Sequence, residues 1–387
     1  MRGITRNIII LGIVSLFTDL SSQMVFPLIP LFLTSVIGAG AAAVGLVEGA
    51  AEATASLLKV VSGYWSDKVK RRKPFILFGY SLSTITKPLF AFAGGWISVL
   101  LIRVIERVGK GLRTSPRDAL VAESTDEVSR GIAYGFHRTM DGAGSIMGAA
   151  LAFLLLAKGI HYREIFLLAL LPGAVSVSVI FLIREQRASS KPEHNLSMKR
   201  SFRELSWNLR LYIIAASIFA LGHFGYAFLL LRAKDIGLSD GTAIFLYLIF
   251  YIVYTIFSTP SGALSDRVGR GPLVAGGYLL FGLVSLGLIL ISNFSGLLLI
   301  FILYGVCYAM IDGMQRAFVV DLAPEELKAT ALGAFHTSIG LSALPGGLIA
   351  GLLWDRISPE ATFVYGIALT TVSLLMLGHL KRRIEQI

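Results

Sequence analysis

The sequence has little charge and almost no cysteine. Only 15% of its 387 residues are charged and 55% are hydrophobic, whereas soluble domains carry about 25% charged residues. The single cysteine, Cys307, excludes an intramolecular disulfide framework and a zinc site built on cysteines. A mean hydropathy of +0.73 therefore predicts a membrane protein.

Long apolar runs recur along the whole chain. A helix needs about 20 mostly apolar residues to cross the hydrocarbon core of a bilayer, and twelve such windows are present. The one long polar connection, 187–206, predicts a cytoplasmic linker between two six-helix bundles, 1–186 and 207–387. We number the predicted spans 1 to 12 in chain order, at residues 8–33, 42–65, 74–95, 97–115, 131–157, 163–184, 211–231, 242–262, 273–293, 297–316, 329–353 and 361–380.

Acidic residues are fewer than basic ones, 24 against 35, which gives a net charge of +11. In a soluble chain this excess would suggest a nucleic-acid partner. Here the basic residues concentrate on one side of the predicted spans, as in KVKRRK at 68–73 and KRR at 381–383. Because cytoplasmic loops carry the excess of Lys and Arg, we expect both termini in the cytoplasm and no nucleic acid as a partner. The expected location is the cell's inner (plasma) membrane, which the chain crosses many times.

The two halves repeat each other. SGYWSDKVKRRKP at 62–74 matches SGALSDRVGRGP at 261–272, with an offset of 199 residues. After a one-residue deletion the offset becomes 198 and still pairs Tyr80 with Tyr278 and Gly148 with Gly346. Parallel repeats of this kind predict a substrate path near the bilayer midplane.

Three motifs give the sequence its resemblance to the major facilitator superfamily of secondary transporters, and to its efflux or antiporter-like members in bacteria and archaea. The loop signature of that family, G-x-x-x-D-R/K-x-G-R-R/K, occurs twice, and in the first copy Lys70 replaces the second glycine. The fourth-span signature, R-x-x-Q-G-x-G-x-G, occurs with Glu106 for Gln and Arg107 for the first Gly, and the glycine-rich fifth-span pattern is partly present. The loop residues that match are Gly63, Asp67 and Arg71 in the first copy and Gly262, Asp266 and Arg270 in the second.

The resemblance implies an all-α fold of twelve transmembrane helices in two pseudo-symmetric bundles, and transport by alternating access. It also implies that spans 1, 4, 7 and 10 line a central cavity and that Asp67 locks the cytoplasmic side against span 11. Independently of the resemblance, a carboxylate at Asp67 suits the N-terminus of a neighbouring helix, whose dipole favours an anion. The bland alternative is a basic loop that serves topology alone.

Ionisable residues inside spans are costly and mark a pathway or a paired network. A structural network, a proton-coupling site and an anion-binding site all remain open for them. Near balance between seven cations and six anions in the spans favours a paired network. The proton-coupling candidates are Asp19, Glu48, Glu52 and Asp141.

Span 4 carries a stripe of cations that lipid cannot face. At about 100° per residue, its charged side chains fall within an arc of about 120°. A guanidinium fork suits carboxylate and phosphate, and aromatic side chains of the second half would suit a partly apolar solute. The substrate-binding candidates are Arg103, Arg107, Lys110, His137, Arg138, His223, Tyr226, Tyr251 and His336.

These features predict a secondary transporter, most simply a monomer, that exports a small charged or amphipathic organic solute in exchange for protons. Symport or exchange of an organic anion is the alternative within the class, and a non-transporting receptor or scaffold is the alternative outside it. The sequence has no P-loop and no spacing suited to a metal. We therefore expect no enzyme activity, no cofactor and no metal, and an ion gradient as the source of energy.

Overall fold

The computed structural model describes residues 4–69, 71–126, 129–184, 205–324 and 327–384. In these ranges it contains helices and no strands, which confirms the all-α prediction. Twelve long helices, some of them interrupted, follow one another in the order of the predicted spans. They are α1 (Arg6–Val25, Leu28–Leu31 and Phe32–Val36), α2 (Ala41–Val69), α3 (Lys73–Leu89 and Phe90–Phe92), α4 (Trp96–Glu123), α5 (Arg130–Ala157), α6 (Tyr162–Leu168 and Leu170–Ile180), α7 (Trp207–Gly222 and Gly225–Asp235), α8 (Asp240–Val268), α9 (Arg270–Leu290), α10 (Phe294–Leu322), α11 (Lys328–Arg356) and α12 (Pro359–Ile384).

Eleven of these helices are long and apolar enough to cross a membrane. The exception is α4, which has 28 residues but carries too many charges. The predicted span 4 ends at residue 115, eight residues before the helix does, because Arg117 and Asp118 end the apolar run while the backbone remains helical. Helix α4 instead buries its charges: Arg103 and Glu106 are both fully buried.

The chain divides into two compact units. The first contains Met1–Gly38 and Ala50–His194, and the second contains Ala39–Gly49 and Asn195–Ile387. The first nine residues of α2 thus belong to the second unit. Of the predicted linker at 187–206, only Leu205 and Ser206 are among the described residues, and the linker stays a prediction.

The same helix pairs form in both units. In the first unit α1 packs on α5 and α6, and α3 packs on α4 and α6. In the second unit α7 packs on α11 and α12, and α9 packs on α10 and α12. One glycine contact recurs in detail: a Cβ at Gly148 would meet the backbone of Leu20, and a Cβ at Gly346 would meet the backbone of Leu221. The internal repeat is therefore a repeat of packing.

Interruptions in α1 and α7 have identifiable causes. Helix α1 breaks after Val25 because Pro27 has no N–H to donate, and it continues as a short α-helix and a π-helical segment. Helix α7 breaks at His223 and Phe224, and its second part begins at Gly225, whose φ of +68° suits glycine. These breaks place Phe26 and His223 beside the side chains described next.

Candidate functional site

At the loop motif, each unit contains an ion pair of the same kind. In the first unit, the Arg72 guanidinium donates to Glu123 Oε1 at 3.0 and 3.2 Å, donates to Ser66 Oγ at 2.7 Å and also pairs with Asp67. In the second unit, Arg270 donates to Asp321 Oδ1 at 2.6 Å and to the Ala317 carbonyl oxygen. Burial opposes the charge on Arg72, but the hydrogen bonds to Asp67 and Glu123 raise the pKa of its guanidinium.

These contacts show which arginines of the two loop motifs are equivalent. The counterpart of Arg270 is Arg72, which precedes it by 198 residues, whereas Arg71 is exposed. Gly63, on α2, lies beside Ser115 on α4, and Gly262 has open space around its Cα. Asp67 and Asp266 are exposed at the ends of α2 and α8. Lys70, which departs from the motif, lies outside the described residues.

The fourth helix forms the core of a cluster of buried charges. Glu106 Oε2 lies 3.3 Å from Arg103 Nη1 and 3.6 Å from Arg107 Nε. The ring of Phe26 lies beneath both guanidiniums, with Arg103 Cζ at 4.0 Å and Arg107 Cζ at 4.8 Å from its centroid. No sequence pattern indicates Phe26 as a site residue, because its position depends on the break in α1.

Two further cations of this cluster, Arg113 on α4 and Lys87 on α3, donate to serine hydroxyl groups. Arg113 Nη1 donates to Ser83 Oγ at 2.6 Å, and its guanidinium lies 4.4 Å from the centroid of the Tyr80 ring. Lys87 is fully buried and donates to Ser21 Oγ at 2.9 Å. Small hydroxyl side chains, which carry no sequence signal of their own, thus solvate charges inside the helix bundle.

Carboxylates on α1 and α2 complete the cluster. Asp19 interacts electrostatically with Lys110, Arg113 and Arg117. Glu52 interacts with Lys59, Lys110 and Arg107 and accepts a hydrogen bond from Ser56 at 3.1 Å. Glu52 is exposed and Lys59 and Lys110 are half-buried, so these three form the accessible edge. We define the charged cluster as Asp19, Glu52, Lys59, Lys87, Arg103, Glu106, Arg107, Lys110 and Arg113.

A smaller polar site lies between α1 and α5. His137 Nδ1 lies 3.5 Å from Asp141 Oδ1, and Ser15 also donates to that carboxylate. Asp141 interacts electrostatically with Asp19 and Arg117, which connects this site to the charged cluster. Arg138, the neighbour of His137 along the chain, is exposed.

The second unit has rings where the first has charges. Around α8 and α10, neighbouring ring centroids lie 5.1 to 6.4 Å apart. Tyr254 Oη donates to Asp312 Oδ2 at 3.1 Å, and Arg316 pairs with the same oxygen at 3.1 Å. We define the aromatic cluster as Tyr247, Phe250, Tyr251, Tyr254, Tyr304 and Tyr308.

Four predicted site residues lie in or near the aromatic cluster: Tyr251 is a member of it, and His223, Tyr226 and Glu48 are its neighbours. His223 Nε2 lies 3.3 Å from Tyr304 Oη, and the Tyr226 ring lies 5.1 Å from the Tyr247 ring. Glu48, which belongs to the second unit, interacts electrostatically with Tyr247. His336 is on α11, where its ring centroid lies 5.6 Å from that of Phe335.

The start of α2 carries a contact that the sequence analysis missed. Asp355, at the end of α11, accepts hydrogen bonds from the N–H groups of Ala41 at 2.9 Å and Ala42 at 2.8 Å. These N–H groups have no partner within their own helix, so Asp355 acts as an N-cap supplied from another helix. A Cβ at Gly45 would overlap the Gly347 carbonyl group, and this close approach brings the cap into range.

Among the described residues, no group of three or more His, Cys, Asp or Glu side chains is arranged to hold a metal ion. The polar residues of both units are instead arranged as ion pairs, stacked rings and hydrogen bonds. Two repeated helix bundles that carry ionisable side chains on membrane-length helices define a class, the secondary transporters.

The match to a known family supports this class of protein. The sequence profile of the Major Facilitator Superfamily matches residues 11–232 and 212–385. The chain belongs to this superfamily and is a multi-pass membrane transporter. A lipid bilayer and a small-molecule substrate are its partners by class.

Relatives extend over nearly the whole chain. An uncharacterised MFS-type transporter of Methanocaldococcus jannaschii is 38% identical over 383 residues, which are 97% of this chain and 95% of that protein. The fosmidomycin resistance protein of Escherichia coli is 24% identical over 370 residues, 92% of this chain and 88% of that protein. The crystal structure of the nucleoside transporter NupG, as a D323A mutant, aligns with a TM-score of 0.82 over 97% of this chain and 100% of that one, at 15% identity. This last likeness shows the shared fold alone.

Proposed function

We propose that this transporter works by alternating access and couples the export of a small charged or amphipathic organic solute to proton entry. The observation that carries the proposal is the placement of Asp19 and Glu52 among the cations of the charged cluster. A carboxylate in a spanning helix that is held by cations can exchange an ion pair for a proton when its surroundings change. Asp141, with His137 beside it, extends the same chain of titratable groups.

Export is the direction that the relatives support. The similarity to a protein named for fosmidomycin resistance extends over 92% of this chain, and removal of a compound from the cell is one route to resistance. The concentration of Lys and Arg in alternate connections supports cytoplasmic termini in the plasma membrane. We take the transporting unit to be a monomer.

Symport or exchange of an organic anion is a second candidate. The specific observation in its favour is the excess of basic over acidic side chains in the charged cluster. The two candidates differ in the direction of proton flow relative to the solute.

The proposal is tested with the purified protein in proteoliposomes that contain a pH-sensitive dye. A thermal-shift screen of metabolites and drugs first supplies a solute that the protein binds. We expect the solute to move against its gradient only when a proton gradient is imposed, and the dye to report counterflow of protons. Transport that continues unchanged after the proton gradient is collapsed would remove the coupling.

Two variants assign the carriers of the proton. Asp19→Asn and Glu52→Gln are each expected to lower proton-driven transport at least tenfold while leaving solute exchange at equal pH on both sides. Glu164→Gln is the matched control, because Glu164 is exposed outside the cluster, with 60% of its side chain accessible. If both cluster variants transport at the wild-type rate, Asp19 and Glu52 have no role in coupling.

A further inference from the structure

By formal charge, the charged cluster holds more basic side chains than acidic ones. It holds six cations, Lys59, Lys87, Arg103, Arg107, Lys110 and Arg113, against three carboxylates, Asp19, Glu52 and Glu106. Adding Arg117, Asp118 and Asp141, which interact with one another, gives seven cations against five carboxylates. The difference of two to three positive charges has no counterpart in the near balance that the sequence predicts.

The balance changes because two of the six expected carboxylates are engaged elsewhere. Glu48 belongs to the second unit, where it interacts with Tyr247. Asp312 is in the second unit as well, where it pairs with Arg316 and accepts from Tyr254. Both carboxylates belong to the near balance that the sequence predicts, and both lie in the second unit.

Arg107 is a member of the cluster whose guanidinium has two buried nitrogens without an acceptor among the described residues. It is 7% exposed, and its Nε and Nη1 are buried without a hydrogen-bond acceptor among the described residues. Its contact to Glu106 Oε2 at 3.6 Å exceeds hydrogen-bond length. A buried donor left without an acceptor is costly, so a further acceptor at this guanidinium would be stabilising.

Phe26 packs against both guanidiniums. Arg103 Cζ and Arg107 Cζ lie 4.0 and 4.8 Å from the centroid of its ring, a range in which a cation is attracted to the ring. Half-buried Lys110, one turn further along α4, interacts with Arg107 and lies at the accessible edge.

We propose that Arg107, supported by Lys110 and packed against Phe26, binds an oxyanion group of the transported solute. The chemical class is a phosphate, phosphonate or carboxylate, whose oxygens accept from a planar fork of donors. This inference rests on the proposed transport function and makes its solute more specific. Glu106 is a positioning residue, since it holds Arg103 and Arg107 without offering a donor to an anion.

Equilibrium binding to the purified full-length protein in neutral detergent tests the proposal without a proton gradient. The probes are inorganic phosphate, methylphosphonate and acetate, titrated against chloride at constant ionic strength and followed by isothermal calorimetry. We expect at least one oxyanion to bind and chloride to be inert. Failure of proton coupling in proteoliposomes would leave this binding intact, so the two proposals fail separately.

Variants of the site give the discriminating result. Arg107→Gln is expected to weaken oxyanion binding by about tenfold to a hundredfold, as for loss of charge-assisted hydrogen bonds. Arg107→Lys keeps the charge but loses the fork and is expected to be intermediate, and Phe26→Leu keeps every charge and is expected to weaken binding severalfold. Arg382→Gln, at an exposed arginine near the end of α12 and outside every motif, is the matched control and is expected to bind as the wild type does.

Several outcomes would overturn the assignment. They are wild-type affinity in both Arg107→Gln and Phe26→Leu, or binding of chloride as tight as that of the oxyanions. Should Arg107→Gln fail to elute as a single species in gel filtration, Arg107→Lys and Phe26→Leu decide the question. Displacement of bound oxyanion by phosphatidylglycerol added to the micelles, with no binding of soluble anions once lipid is present, would assign the site to a lipid head group and overturn the substrate role.

Discussion

The two units share their packing and differ in their chemistry. At positions related by the repeat, Glu106 and Lys110 of the first unit correspond to Tyr304 and Tyr308 of the second, at an offset of 198 residues. On α2 and α8 the offset is 199, and Glu52 corresponds to Tyr251. One bundle therefore concentrates charge on the helix faces where the other concentrates rings.

The difference shows which parts of a duplicated fold are constrained by geometry. Contacts between helix backbones recur: a Cβ at Gly79 would meet the Gly109 carbonyl oxygen, and Cys307, the counterpart of Gly109, contacts the Gly277 carbonyl oxygen. Side chains that do not set the distance between helix backbones can differ between the two units, charged in one and aromatic in the other. Three pairs of substitutions test this separation.

The largest expected effect is at the position where chemistry differs most. Glu106→Gln removes the carboxylate that Arg103 and Arg107 share, and loss of one partner from a buried ion network costs about 3–5 kcal/mol. The counterpart Tyr304→Phe loses only the contact of Tyr304 Oη with His223 at 3.3 Å, about 1 kcal/mol. Apparent melting temperatures in detergent measure both. Equal shifts in the two variants would contradict the idea that the first unit depends on its charges.

An intermediate effect on stability is expected at a pair of equivalent glycines, Gly79 and Gly277. An added Cβ would meet backbone at the first and a side chain at the second. A Cβ at Gly79 would lie 2.6 Å from the Gly109 carbonyl oxygen, whereas a Cβ at Gly277 would lie 2.6 Å from Cγ1 of the Ile311 side chain. Backbone cannot move aside as a side chain can, so Gly79→Ala is expected to cost about 1–3 kcal/mol. Gly277→Ala is expected to remain within about 1 kcal/mol of the wild type, since alanine also favours the helix. Thermal unfolding of the two variants under the same conditions measures the difference. A Gly79→Ala variant that is more stable than Gly277→Ala would contradict the prediction.

The smallest effect is expected at the loop ion pairs, where both geometry and chemistry recur. The Arg72 side chain is 12% exposed and that of Arg270 is 32% exposed. Arg72→Ala is expected to cost about 1 kcal/mol and Arg270→Ala less than that, because exposed ion pairs contribute little. Salt screens exposed charges more than buried ones. A high salt concentration should therefore reduce the stability cost of Arg270→Ala by a larger fraction than the cost of Arg72→Ala. If salt reduced the cost of Arg72→Ala by the larger fraction, exposure would not explain the difference between the two ion pairs.

Much of the fold is predictable from this sequence because a bilayer constrains it strongly. Length and hydropathy locate each of the twelve helices, and the duplicated loop motif gives the repeat. The end of α4 is missed because Arg117 and Asp118 resemble the start of a loop, although the charges are accommodated inside the bundle. Motif alignment also favours Arg71, because the sequence alone does not place the one-residue deletion before or after it. The equivalent contacts of Arg72 and Arg270 place the deletion before Arg72.

The candidate site is less predictable, for a physical reason. Its residue types can be read from the spans, as at Asp19 and Arg107, but its pairing depends on the break in α1 and on the rotation of each helix. Phe26 lies under two guanidiniums because Pro27 ends the first helical segment. Likewise the cap from Asp355 on α2 depends on a glycine contact between segments 300 residues apart in the chain, about which local sequence says nothing.

The single cysteine gives the protein a practical property. Cys307 is 1% exposed and its thiol contacts the Gly277 carbonyl oxygen at 3.2 Å, so thiol reagents in water will reach it slowly. The wild-type chain is thus close to a cysteine-free background for labelling. A cysteine introduced at an exposed position, such as Arg138 or Asp67, would react as the dominant thiol, and its rate of alkylation with and without solute would report directly on the accessibility of that position.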